Sequence, residues 1–583
     1  MAKKERLYTE DMVCSMMGMT PMAVREILPP PTRTAFNYQG WEVPAWGKSV
    51  VKQAMQDPRV ISFQEERKLT NRTNEIIDYL KSFDFEEMVK TAQSLDRKFV
   101  LHIGPTNSGK TYQAIQQLMG AEKGTYLCPL RLLALEIFDQ LNLEGYPCSL
   151  LTGEEEISIP FSGLVASTVE MANYGEEYDV AVIDEAQMIT DPYRGDRWLR
   201  AICCVNAREV HLCFAPEATE MILNLLKFFD APYTIMNHER LAKLEFAGTM
   251  ESIEDVEPGD ALIVFSRKSA LALAADLEKA YIRASVIYGA LPPASRREEV
   301  RRFREHETDV VVATDAIGMG LSLPIRRVIF CETTKFDGVR ERKINPDEIR
   351  QIAGRAGRYG IYNKGFVMTL HEPALIEKAL KEQPPQKKQL IVPFPTEALD
   401  SAWPIDLLLY AWGKIPPVQG IYRVNMASSR LLYSLLVPFK DILDRQTIFR
   451  MITCPFDETK KGLLTYWFMC CRCIAYGQPV PEPTSGTSSL EECESRYRQL
   501  DIRQQLLRTA GIDENRMQEK MELSEMINRY ISQNLYKYAR RCKSCNKIIP
   551  ATSPTGFCGK CKKEWKRNYY KAYAERRRMV GLA

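Results

Sequence analysis

Residues 104–111 of this chain read Gly-Pro-Thr-Asn-Ser-Gly-Lys-Thr, a complete G-x-x-x-x-G-K-[ST] phosphate-binding loop. The apolar run 99–103 before it predicts a buried strand, and residues 112–119 after it predict a helix. In such a loop, backbone N–H groups turn toward phosphate oxygens, the lysine reaches the β- and γ-phosphates, and the threonine hydroxyl ligates Mg²⁺. The candidate nucleotide ligands are therefore Gly104, Thr106, Asn107, Ser108, Gly109, Lys110 and Thr111.

Strand and helix patterns alternate over most of the first two thirds of the chain. Short apolar runs that predict strands cover 125–128, 164–166, 180–183 and 210–213, and then 261–265, 284–287, 310–313, 328–331 and 366–370. This alternation is typical of parallel sheets with crossover helices. The sequence therefore predicts two α/β domains, of which only the first carries a phosphate loop.

Two acidic residues follow one of the predicted strands of the first domain. Asp184 and Glu185 come directly after the apolar run 180–183. The carboxyl ends of parallel strands meet at one edge of a sheet, where the phosphate loop also lies. At that edge one carboxylate completes a Mg²⁺ site, and its neighbour orients and deprotonates the attacking water. We assign Asp184, with Thr111, to Mg²⁺ and Glu185 to the catalytic base.

The second domain carries arginines that the first domain lacks. Residues 351–358 read Gln-Ile-Ala-Gly-Arg-Ala-Gly-Arg, which places Arg355 and Arg358 three residues apart beside glycines. An arginine delivered across a cleft stabilises the charge on a transferring phosphoryl group and accelerates the reaction by ~10³–10⁵. Upstream, the predicted strand 310–313 is followed, within residues 313–320, by a hydroxyl residue, an acid and glycines. We expect this loop to contact both nucleotide and backbone phosphates.

Composition places the chain among ordinary globular proteins. Its 583 residues, 45% hydrophobic and 26% charged, should form about four domains at ~150 residues each. No run of 18 apolar residues occurs, so no transmembrane helix is predicted. Residues 1–11 lack the apolar core of a secretory signal and the acid-free character of a transit peptide. Because cysteines are also scattered singly in apolar strands, we predict a reducing, cytoplasmic location.

The C-terminal region predicts a structural metal site. Two C-x-x-C pairs separated by twelve residues, Cys542 with Cys545 and Cys558 with Cys561, offer four thiolates for a tetrahedral Zn²⁺. Residues 536–583 hold fourteen Lys or Arg against two Glu, a net charge of +12 in a chain of net charge +3. Cations alternate with aromatic residues there, which suits phosphate binding and base stacking. A ribbon that docks a protein is the alternative.

Residues 9–28 have the apolar pattern of a helix-turn-helix. With Gly18 at the turn, Cys14 lies four positions before it, and Val24 and Ile27 lie six and nine positions after it. A small turn residue lets two helices cross, so that the second enters a major groove. A helical docking or packing module is the alternative. Further along, Asp337-Gly338 is typical of a two-residue hairpin turn.

In this order and across two α/β domains, the motifs GPTNSGKT, DEAQ, VATDAIGMGLSL and QIAGRAGR resemble those of a superfamily 2 nucleic-acid helicase. The resemblance is greatest to the mitochondrial degradosome RNA helicase family and its bacterial relatives, through DEAQMITD, EVHLC and SVIYGALPP. It covers residues 95–480, and it implies two tandem RecA-like domains and ATP-driven movement 3′ to 5′ along single strands.

The resemblance also implies roles for individual residues. ATP-site motif positions are matched by Gly109, Lys110, Thr111, Asp184, Glu185, Gln351, Arg355 and Arg358, while Asp315 and Gly318 match the loop that couples both sites. Contacts to the strand fall on Pro129, Arg131, Thr152, Gly153, Thr168, Ser266, Arg267 and Thr314.

Two features depart from many such helicases. Residues 214–219 read Phe-Ala-Pro-Glu-Ala-Thr in place of the Ser-Ala-Thr that couples hydrolysis to unwinding, a departure that the degradosome-like family shares. No glutamine motif for adenine lies upstream of the phosphate loop. We therefore expect loose nucleotide selectivity.

The sequence thus predicts an α/β protein with two tandem RecA-like parallel-sheet domains, a helical C-terminal region, a small helical N-terminal module and a C-terminal zinc ribbon. The predicted boundaries are 1–60 for the helix-turn-helix module, 61–98 for a helical connector, 99–245 and 246–385 for the two RecA-like domains, 386–478 for a helical domain, 479–489 for a linker, 490–535 for a helical segment and 536–583 for the ribbon with its basic tail.

We predict an ATP-dependent RNA helicase or translocase that uses ATP, Mg²⁺ and Zn²⁺, with DNA as the alternative substrate. Its expected partners are single-stranded or tailed nucleic acid, and a protein bound through the ribbon or the N-terminal module, but no membrane. Two other functions stay open: an ATP-driven remodeller of protein–nucleic-acid complexes, and a nucleic-acid-binding regulator with a vestigial core.

Overall fold

A computed structural model of the chain describes residues 7–17, 19, 21–36, 42–81, 85–153, 155–318, 323–337, 340–358, 360–417, 420–533, 535–553 and 556–564. The described residues fall into two units. One takes in Met1–Asp84 and Pro395–Pro416, and the other takes in Phe85–Phe394 and Pro417–Ala583.

The first unit begins with a small α/β module. Its elements are β1 (Leu7–Thr9), α1 (Glu10–Met17), α2 (Pro21–Ile27), β2 (Arg33–Phe36), β3 (Glu42–Gly47), α3 (Lys48–Ala54) and α4 (Pro58–Lys81). The strands form an antiparallel sheet in the order β1-β3-β2. Val13, Met17 and Val24 are fully buried in one cluster with Trp46 of β3, and Cys14 and Ile27 pack against that cluster.

Two helices therefore lie where the helix-turn-helix is predicted, but the sequence analysis missed the sheet beside them. Its strands are only three to six residues long, too short for a clear alternation of apolar and polar residues. Gly18, placed at the turn, lies outside the described residues. A nucleic-acid-binding role for this module stays a prediction.

The second unit contains a first parallel sheet, which we call lobe 1. Its elements are α5 (Phe85–Ser94), β4 (Lys98–Ile103), α6 (Lys110–Met119), β5 (Gly124–Cys128), α7 (Arg131–Leu143), β6 (Cys148–Leu151), β7 (Glu156–Ile157), β8 (Leu164–Thr168), β9 (Tyr178–Ile183), α8 (Gly195–Cys204), β10 (Ala207–Phe214), α9 (Thr219–Phe229) and β11 (Tyr233–Asn237), with 3₁₀ helices at Val169–Met171, Ala186–Thr190 and Pro216–Ala218. The strand order is β11-β4-β10-β9-β5-β8-β6-β7. All neighbours are parallel except β6 and β7.

A second sheet follows, which we call lobe 2. Its elements are β12 (Lys243–Thr249), β13 (Asp260–Ile263), α10 (Arg267–Lys279), β14 (Ala284–Ile287), α11 (Pro293–Arg304), β15 (Val310–Ala313), β16 (Arg327–Phe330), β17 (Thr334–Phe336), β18 (Glu341–Lys343), α12 (Pro346–Ala353), β19 (Lys364–Thr369) and α13 (Pro373–Lys381), with 3₁₀ helices at Ile253–Asp255 and Asp315–Gly318. The strand order is β12-β19-β16-β13-β15-β14, and every neighbouring pair is parallel.

The two sheets confirm the predicted pair of tandem RecA-like domains. Strands such as β5, β13 and β15 are buried along their whole length, because helices cover both faces of a parallel sheet. In lobe 1, β4 and β9 both pair with β10. The phosphate loop after β4 and the acidic pair after β9 therefore lie at the same sheet edge.

Lobe 2 also contains the predicted hairpin. Strands β17 and β18 are antiparallel, and the Asp337 N–H donates to the Arg340 carbonyl at 3.0 Å. The turn residues 338 and 339, which include the predicted Gly338, lie outside the described residues.

The C-terminal third is mainly helical, as predicted. Its elements are β20 (Leu390–Val392), α14 (Ile405–Trp412), β21 (Ile421–Arg423), α15 (Ala427–Leu436), α16 (Arg445–Ile452), α17 (Lys461–Ala475), α18 (Leu490–Thr509) and α19 (Met517–Gln533), with 3₁₀ helices at Thr396–Asp400, Val437–Phe439 and Leu535–Tyr538. The predicted domain 386–478 includes α14, which contacts α4 in the first unit, whereas α15 to α17 belong to the second. Among the described residues, no helix is both long and apolar enough to cross a membrane.

The segment predicted as a linker, 479–489, has no helix or strand before α18, but it is held in place. Arg503 of α18 donates to the carbonyls of Val480 and Pro481 at 2.6 and 2.7 Å. The Tyr466 hydroxyl of α17 donates to the same Pro481 carbonyl at 2.8 Å. The segment therefore packs between two helices.

Three histidines form a hydrogen-bonded row across lobe 1. His102 Nε2 lies 2.9 Å from His211 Nδ1, and His102 Nδ1 lies 3.1 Å from His238 Nε2. Glu209 Oε1 ends the row, 2.8 Å from His211 Nε2. Burial, with smaller effects from His211 and His238, lowers the pKa of His102 to about 4. The His102 ring is therefore neutral at neutral pH.

We expect the stability of this unit to fall as the pH drops from 6.5 to 4. The unfolded chain binds a proton at His102 near pH 6.5, whereas the folded chain does so only near pH 4. The free energy of unfolding should therefore rise with pH through this window and level off above it. The full effect of this one group is on the order of 3 kcal/mol.

Thermal unfolding between pH 4.5 and 7.5 tests this. His102→Asn should flatten the fall in Tm between pH 6.5 and 5, whereas the exposed control His306→Asn should keep the wild-type profile. Equal pH profiles for His102→Asn and wild type would contradict the assignment.

Candidate nucleotide and nucleic-acid sites

The phosphate loop lies between β4 and α6, as predicted. Gly109, directly before α6, has a φ of 79°, and Asn107 has a φ of 63°, both in the left-handed region that favours glycine. Lys110 is buried, and its Nζ donates to the Pro105 carbonyl at 3.3 Å. Ser108 Oγ is buried and has no hydrogen-bond partner among the described residues. A curled backbone with a lysine and an unpaired hydroxyl fits a phosphate group.

Thr111 and Asp184 lie together, as expected for ligands of Mg²⁺. The Thr111 hydroxyl donates to Asp184 Oδ1 at 3.1 Å, and the Tyr126 hydroxyl donates to Oδ2 at 2.9 Å. Burial raises the pKa of the Asp184 carboxyl, Glu185 raises it further, and Lys110 opposes this. A cation beside Thr111 and Asp184 would stabilise the buried carboxylate, so these residues fit Mg²⁺.

Glu185 follows β9 with an unusual backbone conformation. Its φ of 52° and ψ of 42° lie in the left-handed region, which costs a non-glycine residue about 1–3 kcal/mol. The Gln187 side-chain amide donates to the Glu185 carboxylate, and Gln187 Oε1 accepts a hydrogen bond from the Ala215 N–H at 3.2 Å. Gln187 thus connects the candidate base to the segment that replaces Ser-Ala-Thr. Gln187 belongs to the DEAQ motif, but the motif alone predicts no role for it.

Arg355 reaches the acidic pair from lobe 2. Its Nε and Nη2 donate to the Gly318 carbonyl at 3.1 and 2.5 Å. Burial lowers the pKa of the guanidinium, and Glu185 and Asp184 raise it, so the cation faces both acids. Gln351 packs against Gly318, where an added Cβ would lie 3.6 Å from Gln351 Cγ.

Arg358 lines a cavity of about 910 Å³ between α7 and α11, where its electrostatic neighbours are Arg304 and Glu136. Glu136 is also an electrostatic neighbour of Arg355. Both arginines follow α12, which ends at Ala353. The role of Arg358 in the nucleotide site stays a prediction.

The loop after β15 is tied to the hairpin. Lys335 of β17 donates to Asp315 Oδ2 at 2.6 Å and to Glu348 Oε1 at 2.9 Å. Thr314 Oγ1 accepts a hydrogen bond from the Ala316 N–H at 3.3 Å. Asp315 therefore connects the hairpin to the loop that holds Gly318.

The two lobes meet at the phosphate loop itself. The Asn107 side-chain amide donates to the Gly357 carbonyl. A Cβ added at Gly354 would lie 2.8 Å from Thr106 Cβ, closer than real Cβ contacts. Gly354 is thus a glycine because the tip of the loop occupies the space of a side chain.

A second cavity, of about 680 Å³, is lined by arginines from three parts of the second unit, and we call it the arginine cavity. Lobe 1 contributes Arg131, Arg194 and Arg197, lobe 2 contributes Arg296, and α18 contributes Arg498 and Arg508. The lining includes four residues assigned to strand contacts by resemblance, namely Pro129, Arg131, Gly153 and Thr168. The structure thus brings half of the predicted strand-contact residues together.

The positive charge of the arginine cavity is concentrated. Burial, with smaller effects from Arg498 and Arg131, lowers the pKa of Arg296 to about 10. Burial is also the main cause that lowers the pKa of Arg131, which is flanked by Asp501 and Arg498. Arg296 Nε is buried with no hydrogen-bond partner among the described residues. The lining also includes one acid, Glu170, which pairs with Arg194 at 2.7 Å. Half-buried cations that lower one another's pKa fit a polyanion.

The other predicted strand contacts have local partners. Thr152 Oγ1 accepts a hydrogen bond from the Glu155 N–H at 2.9 Å. Ser266 caps α10 by accepting from the Ser269 N–H at 2.9 Å. Arg267 forms ion pairs with Glu494 and, at 2.6 Å, with Glu491 of α18. These three residues and Thr314 are absent from the lining of the arginine cavity.

The sequence analysis missed Arg194, Arg197, Arg296, Arg498 and Arg508. Arg296 and Arg498 come from helices in which several arginines are spread around the surface, so no spacing marks the one that faces the cavity. Arg508 donates to the Gly153 carbonyl at 3.1 Å across 355 residues. Only the tertiary fold brings such groups together.

The four predicted zinc ligands form one cluster. The Sγ atoms of Cys542, Cys545, Cys558 and Cys561 all lie within 4.8 Å of one another. The Cys558 N–H donates to Cys542 Sγ at 3.2 Å, and this bond is the main cause that lowers the pKa of Cys542 to about 6. The ribbon docks on lobe 2 through the Ala551 N–H, which donates to Asp276 Oδ2 at 2.6 Å. The basic tail, 565–583, lies outside the described residues.

Comparison with known proteins identifies relatives of part of this chain. The mitochondrial ATP-dependent RNA helicase SUV3 of Candida albicans is 41% identical over 299 residues, or 50% of this chain and 42% of that protein. The human mitochondrial ATP-dependent RNA helicase SUPV3L1 is 40% identical over 307 residues, or 50% of this chain and 39% of that protein. The chain therefore spans less than half the length of these relatives.

A solved structure of Saccharomyces cerevisiae Dbp5, bound to RNA and ADP BeF3, is more distant. It is 15% identical and matches 50% of this chain and 85% of its own chain, with a TM-score of 0.39.

The predicted cytoplasmic location is wrong, because these relatives are mitochondrial proteins. Buried, reduced cysteines do not distinguish one reducing compartment from another. The composition of eleven residues was also too little to exclude the mitochondrion.

Two family models match the two lobes. Residues 86–238 match the DEXQ-box helicase domain of Suv3, and residues 243–360 match the helicase conserved C-terminal domain. These matches cover the phosphate loop, the acidic pair and the arginine motif. The structure brings these three features together between the two lobes. Lobe 1 therefore matches a Suv3-type DEXQ-box helicase domain and lobe 2 matches a helicase conserved C-terminal domain, and the two together correspond to a helicase core.

Proposed function

We propose that this chain is an ATP-dependent RNA helicase that moves 3′ to 5′ along a single strand. The observation that carries the proposal is that both sites depend on the same two lobes. The phosphate loop and acidic pair of lobe 1 face Arg355 of lobe 2, and the arginine cavity draws its cations from lobe 1, lobe 2 and α18. A change at the nucleotide site that moves the two lobes must therefore also move the residues that line the arginine cavity. The names of the relatives support RNA as the strand.

In the proposed reaction, Lys110 and the loop N–H groups bind the β- and γ-phosphates, and Thr111 and Asp184 would hold Mg²⁺. When bound, Mg²⁺ would supply positive charge that offsets the charge on the phosphates. Glu185 accepts the proton of the attacking water, and Gln187 holds its carboxylate in place. Arg355 stabilises the charge on the transferring phosphoryl group from the opposite lobe.

Arg358, in the same Gln351–Arg358 motif, is also part of the proposal. It shares the neighbour Glu136 with Arg355, so we propose that it adds positive charge to the same side of the nucleotide site.

The strand is proposed to pass through the arginine cavity. Guanidinium groups bind phosphodiester oxygens in a fork geometry, and backbone groups near Pro129, Gly153 and Thr168 lie beside them. Because such contacts grip the backbone, they barely read the sequence.

We also propose that the cysteine cluster binds one structural Zn²⁺. Thiolates at about 2.3 Å from a tetrahedral zinc lie about 3.8 Å apart, and Cys545 Sγ lies 3.6 Å from Cys558 Sγ. Four thiolates leave no open position, so the metal would hold the ribbon fold and take no part in hydrolysis.

The wild-type chain should hydrolyse ATP faster with single-stranded RNA and should unwind a duplex with a 3′ tail but not one with a 5′ tail. Lys110→Ala should lose nucleotide binding, whereas Glu185→Gln should still bind ATP but lose hydrolysis by ~10³-fold or more, because only proton acceptance is removed. The exposed control Arg208→Gln should behave as wild type. Absence of RNA-stimulated hydrolysis in the wild type would overturn the proposal.

Removing cations from the arginine cavity should weaken strand binding. Arg296→Gln and Arg498→Gln should each raise the Kd for single-stranded RNA, and each lost phosphate contact should reduce the slope of log K against log salt by about 0.7. Arg283→Gln is a matched control, because Arg283 pairs with Asp309 on the surface of lobe 2. Salt titrations of RNA binding that show unchanged slopes in both variants would exclude this cavity as the strand site.

The purified chain should contain about one zinc per molecule. Cys545→Ser and Cys558→Ser should lose that zinc and lower the Tm, whereas Cys473→Ser should keep it. Metal analysis by mass spectrometry measures the zinc content, and full zinc in both ligand variants would contradict the assignment.

A further inference from the structure

The short segment between the two lobes lies along the phosphate loop. We call residues 237–242 the connector; residues 239–242 lie outside both matched helicase domains. The His238 N–H donates to the Ile103 carbonyl at 2.7 Å, and the Leu241 N–H donates to the Asn107 carbonyl at 3.2 Å. The connector thus runs along the phosphate loop, from Ile103 directly before the loop to Asn107 within it.

The first glycine of the loop fits against this connector. A Cβ added at Gly104 would lie 2.7 Å from the His238 carbonyl oxygen and 2.8 Å from His238 Cβ. At the other end, a Cβ added at Gly109 would lie 3.4 Å from Leu241 Cδ1. Packing against the connector therefore requires glycine at Gly104, whereas at Gly109 the contact is an ordinary one and the positive φ favours glycine.

Arg240 connects the loop to lobe 2 through four hydrogen bonds. Its Nη1 donates to the Thr106 carbonyl at 2.9 Å and to the Gly354 carbonyl at 3.1 Å. Its Nη2 donates to the Ala356 carbonyl at 2.5 Å, and its Nε donates to the Ala242 carbonyl at 2.7 Å. One planar group therefore joins the phosphate loop, the arginine motif and the connector itself.

All four acceptors are neutral carbonyls, and two of them flank Arg355. Gly354 and Ala356 lie on either side of Arg355, so the bonds from Arg240 hold both ends of the peptide that carries it. Burial, with a smaller effect from the nearby Arg355, lowers the pKa of Arg240 to about 10. A guanidinium fits this role because its donors are fixed in one plane, whereas a lysine offers a single flexible point charge.

We propose that Arg240 is a positioning residue for ATP hydrolysis: it holds the phosphate loop of lobe 1 against the Gly354–Ala356 turn of lobe 2 and thereby places Arg355. The inference rests on the proposed ATPase activity. Arg240 acts through Arg355 and the loop carbonyls. Its loss should therefore reduce the rate of the chemical step more than it reduces the affinity for ATP, since misplacing a catalytic group by about 1 Å costs about 100-fold.

Steady-state ATP hydrolysis at saturating RNA tests this with the full chain. Arg240→Gln should lower kcat by about 10- to 100-fold while KM for ATP changes less than about threefold. Arg240→Lys should recover only part of the rate, because one ammonium cannot satisfy carbonyls on both lobes. Arg208→Gln, an exposed arginine of lobe 1, is the matched control and should keep the wild-type kcat.

The outcomes separate this inference from the proposed function. An inactive wild type would overturn both, whereas an active wild type with unchanged kcat in Arg240→Gln would overturn the inference alone. A rise in KM without a fall in kcat would also overturn it, because it would make Arg240 a binding residue. If Arg240→Gln does not fold, as judged by its Tm, the lysine variant tests the proposal. A wild-type kcat in Arg240→Lys would contradict the role of the planar guanidinium.

Discussion

The contact between the phosphate loop and the turn after α12 is the interaction on which the rest of the second unit depends. Gly354 lies so close to Thr106 that a single methyl group would separate them, and Asn107 donates to the Gly357 carbonyl beyond. Gly357 has a φ of 77° and packs against the backbone of Gly365, so the turn after α12 also packs against β19. Small residues at this contact allow two independent sheets to share one nucleotide site.

The relative position of the two lobes also shapes the arginine cavity. The arginine cavity collects cations that burial and mutual repulsion destabilise, as the lowered pKa values of Arg131 and Arg296 indicate. A polyanion between them would relieve this cost. Because Arg131 opens α7 of lobe 1 and Arg296 lies in α11 of lobe 2, the best geometry for binding depends on how far apart the lobes stand. The proposed nucleotide site and the proposed strand site are thus linked through the same two lobes.

Sequence alone predicted the parts of the site whose chemistry is tied to local spacing. The phosphate loop, Asp184 with Thr111, and the four cysteines lie where the motifs placed them, because each set is fixed by a strand end, a helix start or a tight turn. Arg355 could be assigned from its motif, and the role of Arg358, three residues later, stays a prediction. Spacing identifies candidates, but it does not give the contacts between their side chains.

What could not be predicted depends on contacts between distant segments. Arg240 lies in a connector with no recognisable pattern, and its role is visible only once Thr106 and Ala356 meet around it. Arg508 reaches Gly153 across 355 residues. The short sheet of the N-terminal module and the contact of α14 with α4 could not be predicted either. The strands of that sheet and α14 are too short to show a clear periodicity in the sequence.

The most direct test of the account is the affinity for single-stranded RNA in two nucleotide states. If closure of the lobes over nucleotide sets the shape of the arginine cavity, the Kd for a single-stranded RNA should differ by about 5- to 150-fold between a non-hydrolysable ATP analogue and ADP. By reciprocity, RNA should change the affinity for the analogue by the same factor. Equal RNA affinities in both nucleotide states, in a chain that binds both nucleotides, would contradict the account.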